Sequence, residues 1–278
     1  MSLRWVVCAL LLQAVACGPA PLQPREPTPG KGHFKVVSYN VEKGKHDDES
    51  TVAAVGAAQA EILSLQEVTP EWMEVLAERY AERYPYMLFR DKGGAGGLAT
   101  LSVYPLSDQG IKVGPGGWHP AWHVLVHTPV GPLQILNVHL RSISGGDGNL
   151  VTSYLDTDRD HELEIAGFSA ECEAQYASLV VGDFNEEPDG AAVRFLERRG
   201  FDNALPLYHP GQPTWRHRSV GDQLEATVDH ILFDDTLETL NAFVLRRGNS
   251  DHLQVVAHFE PDGERLPEPV IAEPLVAP

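Results

Sequence analysis

Apolar runs of four to eight residues punctuate the chain at Phe34–Tyr39, Ile62–Leu65, Leu98–Tyr104, Val124–His127, Leu133–Leu140, Leu179–Gly182, Val228–Phe233 and Leu253–Phe259. Short runs rich in Val, Ile, Leu and Phe predict strands. Longer stretches with spaced apolar positions predict helices over Ser50–Ala60, Pro70–Arg83, Asp158–Gln175 and Gly190–Arg199. Thr69-Pro70-Glu71 supplies a helix start, with Thr as the capping residue and Pro in the first turn. Strands in the middle of the chain follow one another without a helix, as hairpins do. This mixed order predicts a layered α/β or α+β sandwich, not a doubly wound parallel sheet.

The two ends read differently. Arg4 followed by the apolar run Trp5–Val15 fits an export signal, too short for the roughly 20 residues that span a bilayer. Ala14-Val15-Ala16-Cys17 resembles a bacterial lipobox, in which Cys17 is lipidated, although Ala stands where Leu is usual. The alternative is an ordinary secretory signal cleaved after an A-x-A-like site. Gly18, in place of a retention Asp, then favours the outer membrane by the same resemblance. Residues 1–16 are thus read as signal peptide, and 17–32, with prolines at 19, 21, 24, 27 and 29, as an extended linker. The globular domain is expected over 33–260, and the Pro-rich 261–278 as a disordered tail.

The chain of 278 residues has 43% apolar side chains, which excludes wholesale disorder. Three cysteines exclude a disulfide-rich scaffold, and removal of Cys8 with lipidation of Cys17 leaves Cys172 alone. A net charge of −18 argues against binding nucleic acid through overall positive charge. A locally basic cleft or a bound cation remains compatible with an anionic substrate.

Polar residues collect at strand ends. Asn40 ends the first predicted strand and Glu67 follows the second; Asn137 and His139, then Asp183 and Asn185, lie two apart; Asp229 opens one strand and Asp251-His252 precedes another. In extended chain, residues two apart share a face, so each pair can point at one centre. Oxygen donors with imidazoles and no thiolate suit Mg²⁺ or Mn²⁺ better than Zn²⁺. Taken singly, Glu67 reads better as a first-turn acid and His139 more often as a half-buried histidine, and Asp251 fits an exposed turn.

Together the segments SYNVEKG (38–44), ILSLQEV (62–68), GLATLSVYPL (97–106), LQILNVHLRS (133–142), LVVGDFNEEP (179–188), ATVDHILF (226–233) and NSDHLQVVAHF (249–259) resemble the endonuclease/exonuclease/phosphatase superfamily, in its order and across the whole domain. That superfamily includes pancreatic-type deoxyribonucleases, abasic-site endonucleases, inositol-phosphate 5-phosphatases and neutral sphingomyelinases. The resemblance implies a four-layer α/β sandwich of two packed mixed sheets flanked by helices, with the site at one edge. It implies metal ligation by Glu67, support from Asn40 and Glu42, and Asp251 nearby. It assigns Asp183 to the attacking water and Asn185 to phosphate and nucleophile. His139 and His252 would contact the scissile phosphate, with Asp229 paired to His252. The base is left open between Asp183 and His252.

The implied activity is Mg²⁺-dependent hydrolysis of a phosphoester, with Mn²⁺ an alternative and a structural Ca²⁺ open. DNA is the favoured substrate, and a phospholipid, sphingomyelin or small phosphorylated molecule the alternative. A silent surface-binding module is the reading from another class. Membrane contact is expected through the lipid anchor alone, and no protein partner is implied. Val103 departs from the family, many of whose members carry Arg there. The Gly-rich segment 141–157 is expected to be a flexible insertion, with a substrate lid or a Ca²⁺ loop as alternatives. His119, His123 and His127 recur every four residues in a predicted strand and are not expected to form a site.

Overall fold

The computed structural model describes residues 20–114, 119–142, 150–170, 172–219 and 222–267. Strand β1 (Phe34–Asn40) is followed by α1 (Glu49–Val55), β2 (Ile62–Gln66), α2 (Pro70–Tyr80), β3 (Tyr86–Arg90) and β4 (Leu98–Ser102). β5 (Leu106–Val113), β6 (Pro120–Thr128) and β7 (Gly131–His139) form a meander that leads to α3 (Leu150–Ser169), β8 (Ala177–Asp183) and α4 (Ala191–Glu197). Then come β9 (Asp202–Asn203), α5 (Ala204–Tyr208), the hairpin β10 (Trp215–Ser219) and β11 (Asp222–Ala226), β12 (Asp229–Phe233), β13 (Leu237–Leu245) and β14 (Gln254–Pro261).

Two six-stranded mixed sheets result, ordered β13-β14-β1-β2-β4-β3 and β5-β6-β7-β8-β12-β9. Alternation along the strands sorts their side chains into layers. Val36, Ile135, Val181, Ile231 and Val255 face the space between the sheets. Val37, Leu63, Leu65 and Val256 face outward onto Val52, Trp72 and Leu76 of α1 and α2. Leu136, Val138 and Val180 face the other way, onto Ile165, Phe168, Val193 and Leu196 of α3 and α4. This is the four-layer sandwich expected. Truncating a central residue such as Ile231, which has no exposed surface, to Ala would cost about 2–5 kcal/mol.

α2 begins as its sequence dictates. Thr69 accepts the Trp72 N–H, and Pro70 takes the first turn, where its missing N–H costs nothing. Strands β5 and β13 were not legible because each carries a register shift, between Asp108 and Ile111 and between Thr239 and Asn241. A bulge reverses the in–out alternation halfway along the strand, and the period of two disappears. α3 starts at Leu150, so residues 150–157 are helical and not part of a loop. No Gly or Pro interrupts the sequence from Leu150 to Ala166.

The ordered unit is wider than 33–260. Buried Glu260 accepts from Thr28 N (2.9 Å), Thr28 Oγ1 (2.8 Å) and Arg25 (3.0 Å), and Leu22 N bonds Leu207 O (2.7 Å). Burial alone would raise the Glu260 pKa, but these donors outweigh it and hold it at about 2. The Pro-rich stretch is therefore a strap on the domain from Leu22 onward, in place of a free spacer. At the other end, Leu266 is buried beside Val130 and bonds its carbonyl. The signal peptide and Cys17 lie outside the described residues.

Candidate active site

The sheet registers bring the polar strand ends together. Asn40 of β1 lies beside Gln66 of parallel β2, His139 of β7 beside Asp183 of parallel β8, and Asp229 of antiparallel β12 opposite the same Asp183. Gly182 permits this approach: a Cβ there would stand 1.9 Å from the Val138 carbonyl oxygen, and its φ is +148°. The loop before β14 adds Asp251 and His252, with Ser250 Oγ bonded to the Asn40 carbonyl at 2.8 Å.

Asp183 is the hub. Its Oδ2 accepts from Asn40 Nδ2 (3.1 Å) and faces Nε2 of both His139 and His252, each at 3.5 Å. Its Oδ1 accepts the Asn185 N–H at 2.9 Å. Burial would raise its pKa, but His252, His139 and Asn40 together push it below the usual aspartate value. His252 Nδ1 bonds both oxygens of Asp229, at 3.0 and 2.9 Å. Burial opposes its charge, yet Asp229 and Asp183 outweigh this and raise the imidazolium pKa to about 10. His139 Nδ1 lies 3.0 Å from the Ala95 carbonyl, which only accepts, so Nδ1 carries hydrogen and Nε2 is left for the centre.

A carboxylate cluster adjoins this hub. Glu67 Oε1 lies 3.3 Å from Asn40 Nδ2, Glu67 Oε2 accepts from Lys43 N, and Glu42 Oε2 accepts from Asp251 N. Asn40 turns its amide nitrogen to the carboxylates and its oxygen to Glu42 N (3.0 Å), so here it ties Glu67 to Asp183. The Glu42 pKa is raised by burial and then by Asp251, against the opposing charge of Lys45. Among the described residues, none of Glu42, Glu67 and Asp251 has a cationic side chain within ion-pair distance. Glu67, Glu42 and Asp251 are hard oxygen donors of the type a divalent cation takes, and Lys45 is the cation that acts on Glu42 from beyond ion-pair distance. Asp183, Asp229 and His252 also present ligand atoms within 4.8 Å of one another. Both nitrogens of charged His252 already face those carboxylates, so a proton satisfies that trio.

Backbone strain concentrates here. Of the four described non-glycine residues with positive φ, three are Glu42 (57°), Glu67 (60°) and Asn185 (50°). Such conformations cost on the order of 1–3 kcal/mol each and persist where the surroundings fix them. The fold therefore forces these side chains out of ordinary strand geometry and toward the centre.

The sequence model of the Endonuclease/Exonuclease/phosphatase family matches residues 37–252, a span that contains all nine predicted site residues. The chain belongs to this family. Membership makes it a metal-dependent phosphoesterase, and Asp183, Asp229 and His252, whose ligand atoms lie within reach of one ion, fall in the matched span. Solved structures agree on the fold. An endonuclease/exonuclease/phosphatase from Beutenbergia cavernae is similar at a TM-score of 0.64 and 16% identity, over 84% of this chain and 72% of that one. TDP2 of D. rerio, complexed with single-strand DNA product, is similar at 0.60 and 15%, over 82% and 99%. An AP endonuclease from Archaeoglobus fulgidus is similar at 0.61 and 14%, over 81% and 98%. No curated protein matches the sequence.

The nine predicted site residues lie in one linked neighbourhood, and Trp215, His119 and His161 lie around it. Trp215 donates its Nε1–H to Asp251 Oδ2 at 3.0 Å and walls the centre on that side. His119, dismissed from its spacing, stacks on His139 with centroids 4.3 Å apart and planes 10° apart. Burial, then the neighbouring His139, push its pKa down to about 4, so it is neutral. His161 of α3 is buried and bonds Glu186 Oε2 at 2.9 Å and the Arg141 carbonyl at 2.7 Å. That pair ties α3 to the loops bearing Arg141 and Asn185. Asn137 does not face the centre: it bonds Gln66 and the carbonyls of Leu65 and Ala99, and joins the two sheets.

Proposed function

We propose that the protein is an exported Mg²⁺-dependent phosphodiesterase that cleaves nucleic acid, anchored by lipid at Cys17. One observation carries the chemistry: His139 and His252 both direct Nε2 at Oδ2 of Asp183, each at 3.5 Å. Asp183, held ionised, takes the proton of the attacking water. His252 cannot serve as that base while Asp229 keeps it charged. Its Nε2–H, which faces Asp183 Oδ2 at 3.5 Å, is the proton available to the leaving alkoxide once a phosphoester occupies the centre. Asn185, fixed by its Nδ2 bond to the Leu140 carbonyl (3.0 Å), steadies phosphate and water. A cation on Glu67, Glu42 and Asp251 would neutralise charge on the phosphoryl and leaving oxygens.

Nucleic acid is favoured over lipid by the surface beside the centre. The β10–β11 hairpin presents Arg216 and His217 there, and Leu224 is its only exposed large apolar side chain among the described residues. Among the described residues the other exposed large apolar side chains are Leu22, Tyr86, Val113 and Leu163, and none of them lines the cavity beside Glu42 and Asp251. The structure of D. rerio TDP2 with single-strand DNA product supports the same choice. The test is nicking of supercoiled plasmid by the purified protein in low salt with Mg²⁺, beside EDTA and Asp183→Ala controls. Nicking lost in both controls is expected. A folded protein that leaves plasmid intact but releases phosphate or phosphocholine from small esters would refute the nuclease assignment.

A further inference from the structure

A buried ionisable pair next to Asn185 takes no part in the chemistry above. His161 of α3 and Glu186 of the loop after β8 retain 1% and 6% of their side-chain exposure, with His161 Nδ1 2.9 Å from Glu186 Oε2. Glu186 Oε1 accepts the Val193 N–H at 2.8 Å, so both oxygens of the carboxylate are used. Its backbone carbonyl accepts from His230 Nε2 at 2.9 Å. Gly190 makes room for the carboxyl group: a Cβ there would stand 2.3 Å from Glu186 Cδ. The other ring nitrogen of His161, Nε2, lies 2.7 Å from the Arg141 carbonyl in the loop after β7. A carboxylate and a carbonyl only accept, so both nitrogens carry hydrogen and His161 is an imidazolium. Burial alone would lower its pKa, but the bond to Glu186, the charge of Glu186, the Arg141 carbonyl and the charge of Glu164 on α3 outweigh this and raise it.

The partners of His161 adjoin the grip on Asn185. The Leu140 N–H bonds the Asp183 carbonyl at 2.8 Å, and the Leu140 carbonyl accepts Asn185 Nδ2 at 3.0 Å. Arg141 and Glu186 are the next residues along the two loops, and His161 spans them. Asn185 has a φ of 50°, a conformation that persists only where its surroundings fix it. We propose that His161 and Glu186 are positioning residues: a charged strut from α3 that holds the two loops together and so aims Asn185 at phosphate and attacking water. The proposal rests on the phosphodiesterase reading above and adds to it two residues that act on the centre only through Asn185. Without the imidazolium, Glu186 is a buried carboxylate lacking its counter-charge, and the Arg141 carbonyl loses its donor. The loop after β8 then relaxes, and Asn185 with it. In a catalytic site a displacement of about 1 Å costs on the order of 10²-fold in rate.

The test is a double-mutant cycle of His161→Gln with Asn185→Ala, read as kcat and KM on bis(p-nitrophenyl) phosphate with Mg²⁺ or Mn²⁺. His161→Gln alone is expected to lower kcat by roughly ten-fold and to move KM by less than about two-fold. In the Asn185→Ala background it is expected to lower kcat no further, because the residue it aims is gone. Where His161→Gln does not fold, His161→Gln/Glu186→Gln takes its place, since that pair leaves no unpaired buried charge. A kcat unchanged by the strut substitution, or a loss that recurs in full in the Asn185→Ala background, overturns the proposal. A second measurement needs no activity. The Asn185 side-chain amide in ¹H–¹⁵N spectra, identified by its absence from Asn185→Ala, is expected to shift in His161→Gln, while the Asn249 amide, bonded to Asp48, holds. An unmoved Asn185 amide overturns the strut. Wild-type protein that cleaves no phosphodiester is a different failure: it removes the phosphodiesterase reading, and the spectra still decide whether His161 sets Asn185.

Discussion

His252 Nδ1 lies 2.9 Å from Asp229 Oδ2, and the two side chains retain 8% and 0% of their exposure. The carboxylate fixes which nitrogen faces the centre and keeps the ring charged, as the proposed leaving-group role requires. Replacing Asp229 with Asn removes the charge and keeps the shape. The expected outcome is a loss in kcat of about 10²–10⁴-fold with little change in KM, because a proton-transfer contribution disappears while substrate contacts remain. Steady-state kinetics on bis(p-nitrophenyl) phosphate measure this. Unchanged kcat in folded Asp229→Asn protein would remove the dyad from the mechanism.

The same pair sets a pH dependence of stability. The His252 pKa rises from 6.5 to about 10 on folding, so the folded state holds a proton that the unfolded chain releases. Its stabilising contribution is fully present below pH 6.5 and is lost as pH rises through about 10. In EDTA, the melting temperature of the wild type should exceed that of His252→Asn most at pH 6, and the two should converge toward pH 10. A gap that widens with pH would reverse the sign and refute a charged His252.

Glu67 leads the candidate metal carboxylates, and among the described residues no cation offsets it, Glu42 or Asp251 at ion-pair distance. Mg²⁺ at about 100 times its dissociation constant should stabilise the wild type by about 2.7 kcal/mol. For a domain of this size that is a rise of roughly 5–10 °C in melting temperature. Glu67→Gln should shrink the rise and move the Mg²⁺ activity titration to higher concentration. Calorimetric melts across a Mg²⁺ series read both. An identical shift in the variant would place the ion elsewhere.

The fold and most of the site were legible because strands write their ends plainly. A polar residue two positions from another, at the close of an apolar run, reports a shared direction whatever lies between the strands. That is how Asp183 and Asn185 were read. The same rule misplaced Asn137, since residues on one face of a strand can still lie at different depths: His139 reaches the rim, and Asn137 stops between the sheets at Gln66. Bulges hid β5 and β13, and the Glu260 anchor of the strap joins residues more than 230 positions apart. His119 gave no sequence signal, because its partner is set by how the start of β6 meets the end of β7.

That stacking yields the last prediction. His119 covers one face of His139, and its Nδ1 is buried without a hydrogen-bond partner. A ring held neutral at 4.3 Å and nearly parallel restrains rotation of its neighbour, whose Nδ1 is already tied to Ala95. His119 is thus a positioning residue, acting through the aim of His139 Nε2 at Asp183. His119→Ala frees the ring, and kcat should fall by roughly ten-fold while KM holds, since misorientation of a catalytic group acts on the transition state. His119→Phe keeps a planar face without nitrogen and should recover most of the loss. Steady-state kinetics of both variants, with melting temperatures to confirm folding, separate the possibilities. Equal loss in Ala and Phe would show that a nitrogen of His119 is needed, and stacking would be the wrong account of its role.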